Sequence, residues 1–341
     1  MKIVTIQSEK IDDIFEELKL NFGGELQIDL DEYCLQIDND FAKGSIIGAS
    51  FNDTITYLQF DMLFYDKITV NILNRDASSV YFAYCSKGNL LHSFGVSGTG
   101  RKLKNYQTAI ISSKKNKNNV LYFDENRSTK FNLITLGIDV SKQHQKSFLH
   151  QKIKETFFED ANEKEFFYLG SYNLQIAEKI EQLEAVNQTG VVGNLLKEGI
   201  LRIILAMEIQ QHSDDLYHFS KDTNCLTLKE MEEIKELSDF IKSCPEEAFT
   251  IKNLSKKSGL SPNKLQEGFK LIHNRTVNDY ITHMRVVKAE ILIRTSDLNI
   301  SEIVYCIGFT SRSYFSKIFK QKFNCSPKDY KSSTNPLAIT A

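Results

Sequence analysis

Apolar and polar residues alternate with a period of two through roughly the first 140 positions, and beyond them the period becomes helical. After a short helix over 11–20, alternating runs fall at 26–30, 33–37, 57–64, 68–73, 80–84, 90–94, 109–112, 120–123 and 131–138. Gly, Asn, Asp and Lys separate them, as short antiparallel strands require. The polar stretches 95–104 and 112–119 read as exposed hairpin loops. So many short strands in so little chain predict a small cupin-like β-barrel or double-sheet jelly roll.

The pattern changes near Val140. Residues 155–165 are charged, 171–188 and 194–211 are helical by spacing, 213–227 is a polar linker, and 228–243 is another helix. On the 194–211 helix, Leu196, Ile200, Ile203 and Met207 fall at intervals of four, three and four, forming an apolar seam that Leu195, Ile204 and Leu205 broaden. Such a face can pack on the β-domain as an ordinary core helix, or it can join two subunits. The expected organisation is α+β and multidomain: a β-rich domain at 1–140, a helical linker and dimerisation segment at 141–225, and an all-α domain at 226–334.

The last segment contains one pattern twice. Ile251, Leu254, Gly259 and Leu260 recur 49 positions later as Ile300, Ile303, Gly308 and Phe309. One extra residue then shifts the offset to 50, pairing Leu265, Phe269, Lys270, Asp279 and Tyr280 with Phe315, Phe319, Lys320, Asp329 and Tyr330. An internal repeat of this length is one supersecondary unit used twice. In each, a short helix ends at a glycine able to take the left-handed turn. A Ser/Thr cap (Ser261, Thr310) and a second, polar and basic helix follow. The 277–295 helix joins the units through Val277, Tyr280, Ile281, Met284, Ala289 and Leu292. At 1.5 Å per residue it spans nearly 30 Å, close to the ~34 Å of one DNA turn.

Charge sharpens this picture. The chain carries 42 Lys/Arg and 44 Asp/Glu, for a net charge of −2. Residues 248–334 hold 15 of the basic and 6 of the acidic residues, a net of +9, leaving 27 against 38, a net of −11, elsewhere. A polyanionic partner is therefore implied for the C-terminal segment alone. No apolar leader core opens the chain and no stretch approaches a membrane span, so neither secretion nor membrane insertion is expected. The six cysteines (Cys34, Cys85, Cys225, Cys244, Cys306, Cys325) form no CxxC pair and read as reduced cytosolic thiols.

From about Leu226 to Lys331, some 30 % of the chain, the sequence resembles the DNA-binding domain of the AraC/XylS family of bacterial transcription regulators. The stretches that carry the resemblance are 249–262, 285–289, Ile300-Ser-Glu-Ile303, 308–320, Ser326-Pro327 and Tyr330. Lys264–Lys270 and Thr276-Val277 are nearer to the siderophore-responsive PchR branch than to the sugar-responsive one. Three positions depart from the pattern: Glu267 on the first recognition helix, Ile291 on the connecting helix, and Asn324-Cys325 before the final Ser-Pro.

Helix faces assign roles. Leu265 and Phe269 must face inward, leaving Asn263, Lys264, Gln266, Glu267 and Lys270 outward. Asn263 and Gln266 suit paired contacts with adenine, Lys264 and Lys270 suit phosphate, and Glu267 can accept from a cytosine amino group while repelling phosphate. On the second helix Phe315 and Phe319 face inward and Arg312, Ser313, Ser316, Lys317 and Lys320 outward, with Arg312 shaped for guanine O6 and N7. Ser261, Thr310 and Ser311 lie at helix N-termini, where backbone N–H groups attract a DNA phosphate.

Catalytic chemistry finds little support. His92 is the only histidine in the β-region, and His144 and His150, six apart, make a poor ligand pair. Gly98-Thr-Gly100 lacks the strand and helix that flank a phosphate loop and reads as a hairpin tip. No cofactor, metal site or enzyme activity is expected. The resemblance implies a cytoplasmic, homodimeric regulator of double-stranded DNA. Its sensor domain would bind a small-molecule effector, here expected in the barrel interior between strands such as 57–64 and 80–84, and would change how the DNA-binding domains are presented. RNA polymerase is a further candidate partner. The alternative is a ligand-independent DNA-binding protein whose barrel is a protein-interaction module.

Overall fold

A computed structural model describes residues 2–29, 31–51, 55–73, 79–113, 116–137, 165–218 and 226–334. The sequence features at His144, His150, Cys225 and most of 155–165 lie outside the described residues. The chain divides into two units, Met1–Asp222 and Thr223–Ala341.

The N-terminal unit is a sandwich of two sheets. The larger has the order β13-β10-β7-β12-β5-β4-β3-β2, and the smaller β1-β6-β11-β8-β9. In chain order these strands are β1 (Lys2–Ile6), β2 (Glu25–Asp29), β3 (Glu32–Asp38), β4 (Ala42–Phe51), β5 (Ile55–Phe64), β6 (Ile68–Ile72) and β7 (Ser79–Lys87). They continue with β8 (Asn89–Phe94), β9 (Arg101–Lys104), β10 (Gln107–Ser112), β11 (Asn119–Phe123), β12 (Arg127–Gly137) and β13 (Phe166–Tyr172). Alternation along β5 sends Leu58, Phe60, Met62 and Phe64 between the sheets. There Phe60 stacks on Phe131 with ring centroids 4.7 Å apart, and Phe64 meets Phe123 edge-on at 5.1 Å. Helix α1 (Ile11–Phe22) adds Phe15, Leu18 and Phe22 to the same core.

Four strands were not anticipated from the alternation. In β4 two of the inward positions are Gly44 and Gly48, so no apolar alternation marks the strand. A Cβ at Gly48 would sit 2.4 Å from the Phe15 ring, and this close approach of α1 to the sheet explains the glycine. In β9 only Leu103 is buried among charged residues. It pairs with β8 across the loop that contains Gly98-Thr-Gly100. The expected helical linker and dimerisation segment, 141–225, contributes β13, which pairs with β10. The remaining strand, β1, runs parallel to β6.

The second face of the large sheet also buries apolar residues, among them Phe82, Tyr84, Ile110 and Ile134. Two helices cover it: α2 (Leu174–Glu184), capped by Asn173, and the 29-residue α3 (Gly190–His218). The helix α3 continues through Ser213 into the stretch expected to be a polar linker. Its polar last turns are held because Asp215 accepts hydrogen bonds from Ser171 N and Oγ, both at 3.0 Å, and from the Tyr168 hydroxyl.

The C-terminal unit is all helical: α4 (Leu228–Ser243), α5 (Ile251–Ser258), α6 (Pro262–His273), α7 (Val277–Thr295), α8 (Ile300–Cys306), α9 (Arg312–Phe323) and α10 (Pro327–Thr334). The repeat extends to hydrogen bonds. Asn274 and Asn324 end α6 and α9 at φ 52° and 59°, a conformation that Asn tolerates, which accounts for Asn324 before Cys325. Fifty positions apart, Thr276 and Ser326 each donate to an aspartate, Asp279 or Asp329, at 2.6 Å.

Candidate nucleic-acid interface and sensor cavity

Two helix-turn-helix units position the outward side chains. In the first, α5 ends at Gly259 with φ 70°, Leu260 is buried, and Ser261 caps α6 by accepting from the Lys264 amide. In the second, Gly308 turns the chain at φ 76° after α8. The inserted residue moves the cap from Thr310, as expected, to Ser311, whose Oγ accepts from the Tyr314 amide at 3.2 Å. Thr310 is exposed just outside the helix. The two N-termini also differ as anion sites, because Pro262 at the start of α6 has no N–H to offer.

Leu265 and Phe269 on α6, and Phe315 and Phe319 on α9, are fully buried, so the register of both helices is fixed. Asn263, Lys264, Glu267 and Lys270 stand exposed on the first, and Arg312, Ser313, Lys317 and Lys320 on the second; Gln266 and Ser316 are half-buried. Two side chains are already engaged. The Lys264 ammonium bridges to Glu230 on α4, and this bond holds the Glu230 carboxyl below its ordinary range. Gln266 Oε1 accepts from the Val277 amide at 3.2 Å, fixing the start of α7. That removes the acceptor half of the paired adenine contact expected of Gln266. Tyr314, 52 % exposed with its ring edge on Phe309, was not among the expected contact residues. It belongs to the apolar-looking Tyr-Phe pair, and only the helix register separates the outward ring from the inward one.

On α3 the seam has its own geometry. Leu201, Ile204, Leu205 and Glu208 are buried. Leu196 and Ile203 are 43 % and 47 % exposed, and Ile200 and Met207 are half-buried. The broadening residues Ile204 and Leu205 therefore belong to the core face, and Leu195 to the open one.

The sandwich interior is packed with aromatic and aliphatic side chains of both sheets, among them Phe60, Phe64, Phe123 and Phe131. A cavity of about 620 Å³ lies instead on the opposite face of the large sheet, between β2–β5 and the helices α2 and α3. Ile28, Cys34, Ile47 and Phe51 line it from the sheet, and Leu183, Val186, Lys197 and Leu201 from the helical side. At its floor Tyr57 OH and Gln59 Nε2 donate to Asn132 Oδ1 at 2.7 and 3.0 Å, and Gln59 Nε2 also donates to Glu184 Oε1 at 2.6 Å. Burial, reinforced by Glu184, pushes the Tyr57 hydroxyl well above its usual pKa. His92 is buried against Phe94 and Phe167 with Nε2 on Asn119 at 3.0 Å, and burial lowers its pKa to about 4. Among the described residues no group of three His, Cys, Asp or Glu is placed to hold a metal, and no helix is long and apolar enough to cross a membrane.

The helix-turn-helix domain family matches residues 254–333. The regulatory protein SoxS of Escherichia coli K12 is 32 % identical over 98 residues, which are 29 % of this chain and 92 % of SoxS. Histidine kinase P4 of Formosa agariphila is 39 % identical over 84 residues, which are 25 % of this chain and 6 % of the relative's length. The DNA-binding domain of AdpA, solved in complex with a target DNA, overlays 32 % of this chain and 98 % of its own at a TM-score of 0.30 and 19 % identity.

Proposed function

Because the chain belongs to the AraC/XylS family of transcription regulators, we propose that its C-terminal unit reads a bipartite stretch of DNA with α6 and α9 and that its N-terminal unit senses a small organic effector. The observation that carries the DNA reading is the doubled unit itself. Two helices of fixed register each turn Leu or Phe anchors inward and a polar, mostly basic face outward, in a segment of net charge +9 within an acidic chain.

The two helices share the work unequally. Arg312, Ser313, Ser316, Lys317 and Lys320 on α9, with Tyr314 beside them, form the base-reading face. On α6, Asn263 reads bases, Lys270 holds phosphate, Glu267 accepts from cytosine, and Lys264 must leave Glu230 to reach DNA. An exposed ion pair of that kind is worth about 0–1 kcal/mol, which a phosphate contact can replace. Ser311 and Thr310 mark the better phosphate site, since α6 opens with a proline. The open seam Leu196, Ile200, Ile203 and Met207 on α3 joins two copies in a cytoplasmic homodimer, so that paired half-sites are bound with raised effective concentration. RNA polymerase is the partner such a regulator would address from the promoter.

Genome-wide footprinting of the bound protein, followed by binding of the recovered sites in vitro, tests the reading. A recurrent two-part motif supports it, and binding that follows charge without sequence overturns it.

A further inference from the structure

We propose that the cavity beneath α3 takes an apolar organic molecule with an amine head, and that it does not take a carboxylate of the same shape. This rests on the reading of the N-terminal unit as an effector sensor and deepens it by naming the place and the chemistry. The volume, about 620 Å³, lies within the range of roughly 300–1,000 Å³ that holds a small organic ligand. The walls are apolar: Ile28, Ile47 and Phe51 on one side, Leu183, Val186 and Leu201 on the other.

The polar groups decide the head group. Three carboxylates line the cavity (Asp29, Glu32 and Glu184) against one ammonium, Lys197, a formal −2. Lys197 is already paired with Glu32. Behind the floor, Lys130 is shared between Glu184 at 2.8 Å and Asp61 at 3.7 Å, so it leaves no positive charge in excess there. The floor offers acceptors. Tyr57 and Asn132 spend their hydrogen-bonding groups on each other, Gln59 and Ser86. Gln59 Oε1 and Glu184 Oε2 have no hydrogen-bond partner among the described residues. Both residues line the cavity, and Gln59 is almost wholly buried. An ammonium, charged at neutral pH with a pKa near 10, donates to both oxygens. A carboxylate meets acceptor lone pairs there, in a cavity whose lining carries a net negative formal charge.

The position also gives binding a route to the rest of the protein. Lys197 and Leu201 face the cavity, and their chain neighbours Leu196 and Ile200 belong to the open seam of the same helix. A molecule seated under α3 therefore acts on the element whose far side is proposed to join two subunits.

The test uses the full-length chain with three matched probes, decylamine, decanol and decanoate, each below its micelle concentration, with binding read by calorimetry. Decylamine is expected to bind, and decanoate to bind about tenfold more weakly or worse. Ile47→Trp, which fills the cavity from a half-exposed position, should abolish binding, and Glu184→Gln should reduce the preference for the amine. A circular-dichroism melt and operator affinity without probe establish that each variant is folded. Decanoate binding as well as decylamine, or decylamine binding unchanged in folded Ile47→Trp, overturns the proposal, as does no binding by any probe. A separate arm measures operator affinity with bound decylamine. Binding there without any change at the operator leaves the cavity chemistry standing and removes the effector reading.

Discussion

Arg312→Ala should move stability and DNA affinity in opposite directions. Arg312 occupies the first position of α9, immediately after the Ser311 cap, where the helix dipole disfavours a cation. It is exposed and makes no ion pair among the described residues, while the anchors Phe315 and Phe319 are fully buried. Removing the guanidinium should therefore stabilise the free fold by about 0.3–1 kcal/mol, the usual size of a charge–dipole effect at a helix end. The same change deletes a fork able to span guanine O6 and N7, a contact worth roughly 1–3 kcal/mol, or about 5- to 150-fold in Kd. Random-sequence DNA should lose only the general attraction of one cation. Fluorescence anisotropy on the cognate site, on single-base variants and on random duplex, alongside urea melts, separates the two effects. Lys320→Ala is the control: it should weaken all sequences alike and reduce the slope of log K against log salt by about 0.9. An equal loss on cognate and random DNA for Arg312→Ala would show that Arg312 does not read bases, and a destabilised fold would refute the charge–dipole argument.

Three further outcomes are expected. Ile203→Glu places a charge in the open seam of α3 and should leave the fold intact, convert a dimer to monomer in sedimentation, and weaken a two-half-site operator about a hundredfold with little effect on a single half-site; a dimeric variant would move the interface elsewhere. Glu208 is 1 % exposed with Oε2 unpartnered among the described residues, and burial holds its carboxyl well above the ordinary range. A raised folded pKa means its contribution to stability is complete below the unfolded value of about 4.3 and is lost as pH climbs toward the folded value. Glu208→Gln should therefore match the parent near pH 4 and melt several degrees higher at about pH 8, and a gap that does not widen with pH would refute this. Gly308→Ala would combine φ 76° with a Cβ 2.4 Å from the Glu246 carbonyl oxygen. It should cost about 1–3 kcal/mol or more in a urea melt, and a neutral result would mean the turn can relax.

The C-terminal unit was largely legible because its information is local. Period-3.6 spacing, the Ser and Thr caps and a repeat of fixed offset set α4, α7 and both recognition helices without reference to anything distant, and Leu265, Phe269, Phe315 and Phe319 fall where the spacing put them. The exceptions are long-range or conformational. Gln266 and Lys264 read as free polar residues until Val277 and Glu230 are brought beside them. The one-residue insertion hid that Ser311, and not Thr310, caps α9.

In the N-terminal unit the sequence by itself determined that strands exist, since alternation is a property of neighbours along the chain. Which strands pair, and what covers each face, depend on residues far apart in sequence, and tertiary structure alone decided them. A strand covered on both sides is buried at every position, as in Tyr57-Leu-Gln-Phe60, so its alternation cannot say which elements cover each face. A strand facing a close-packed helix carries glycine at an inward position, as β4 does at Gly48 under Phe15. The cavity is the clearest instance. Its walls come from β2–β5, α2 and α3, segments separated by more than a hundred residues, and its acceptors Gln59 and Glu184 meet only because the helices fold back over the sheet's second face. No local pattern can record a space that exists only between elements.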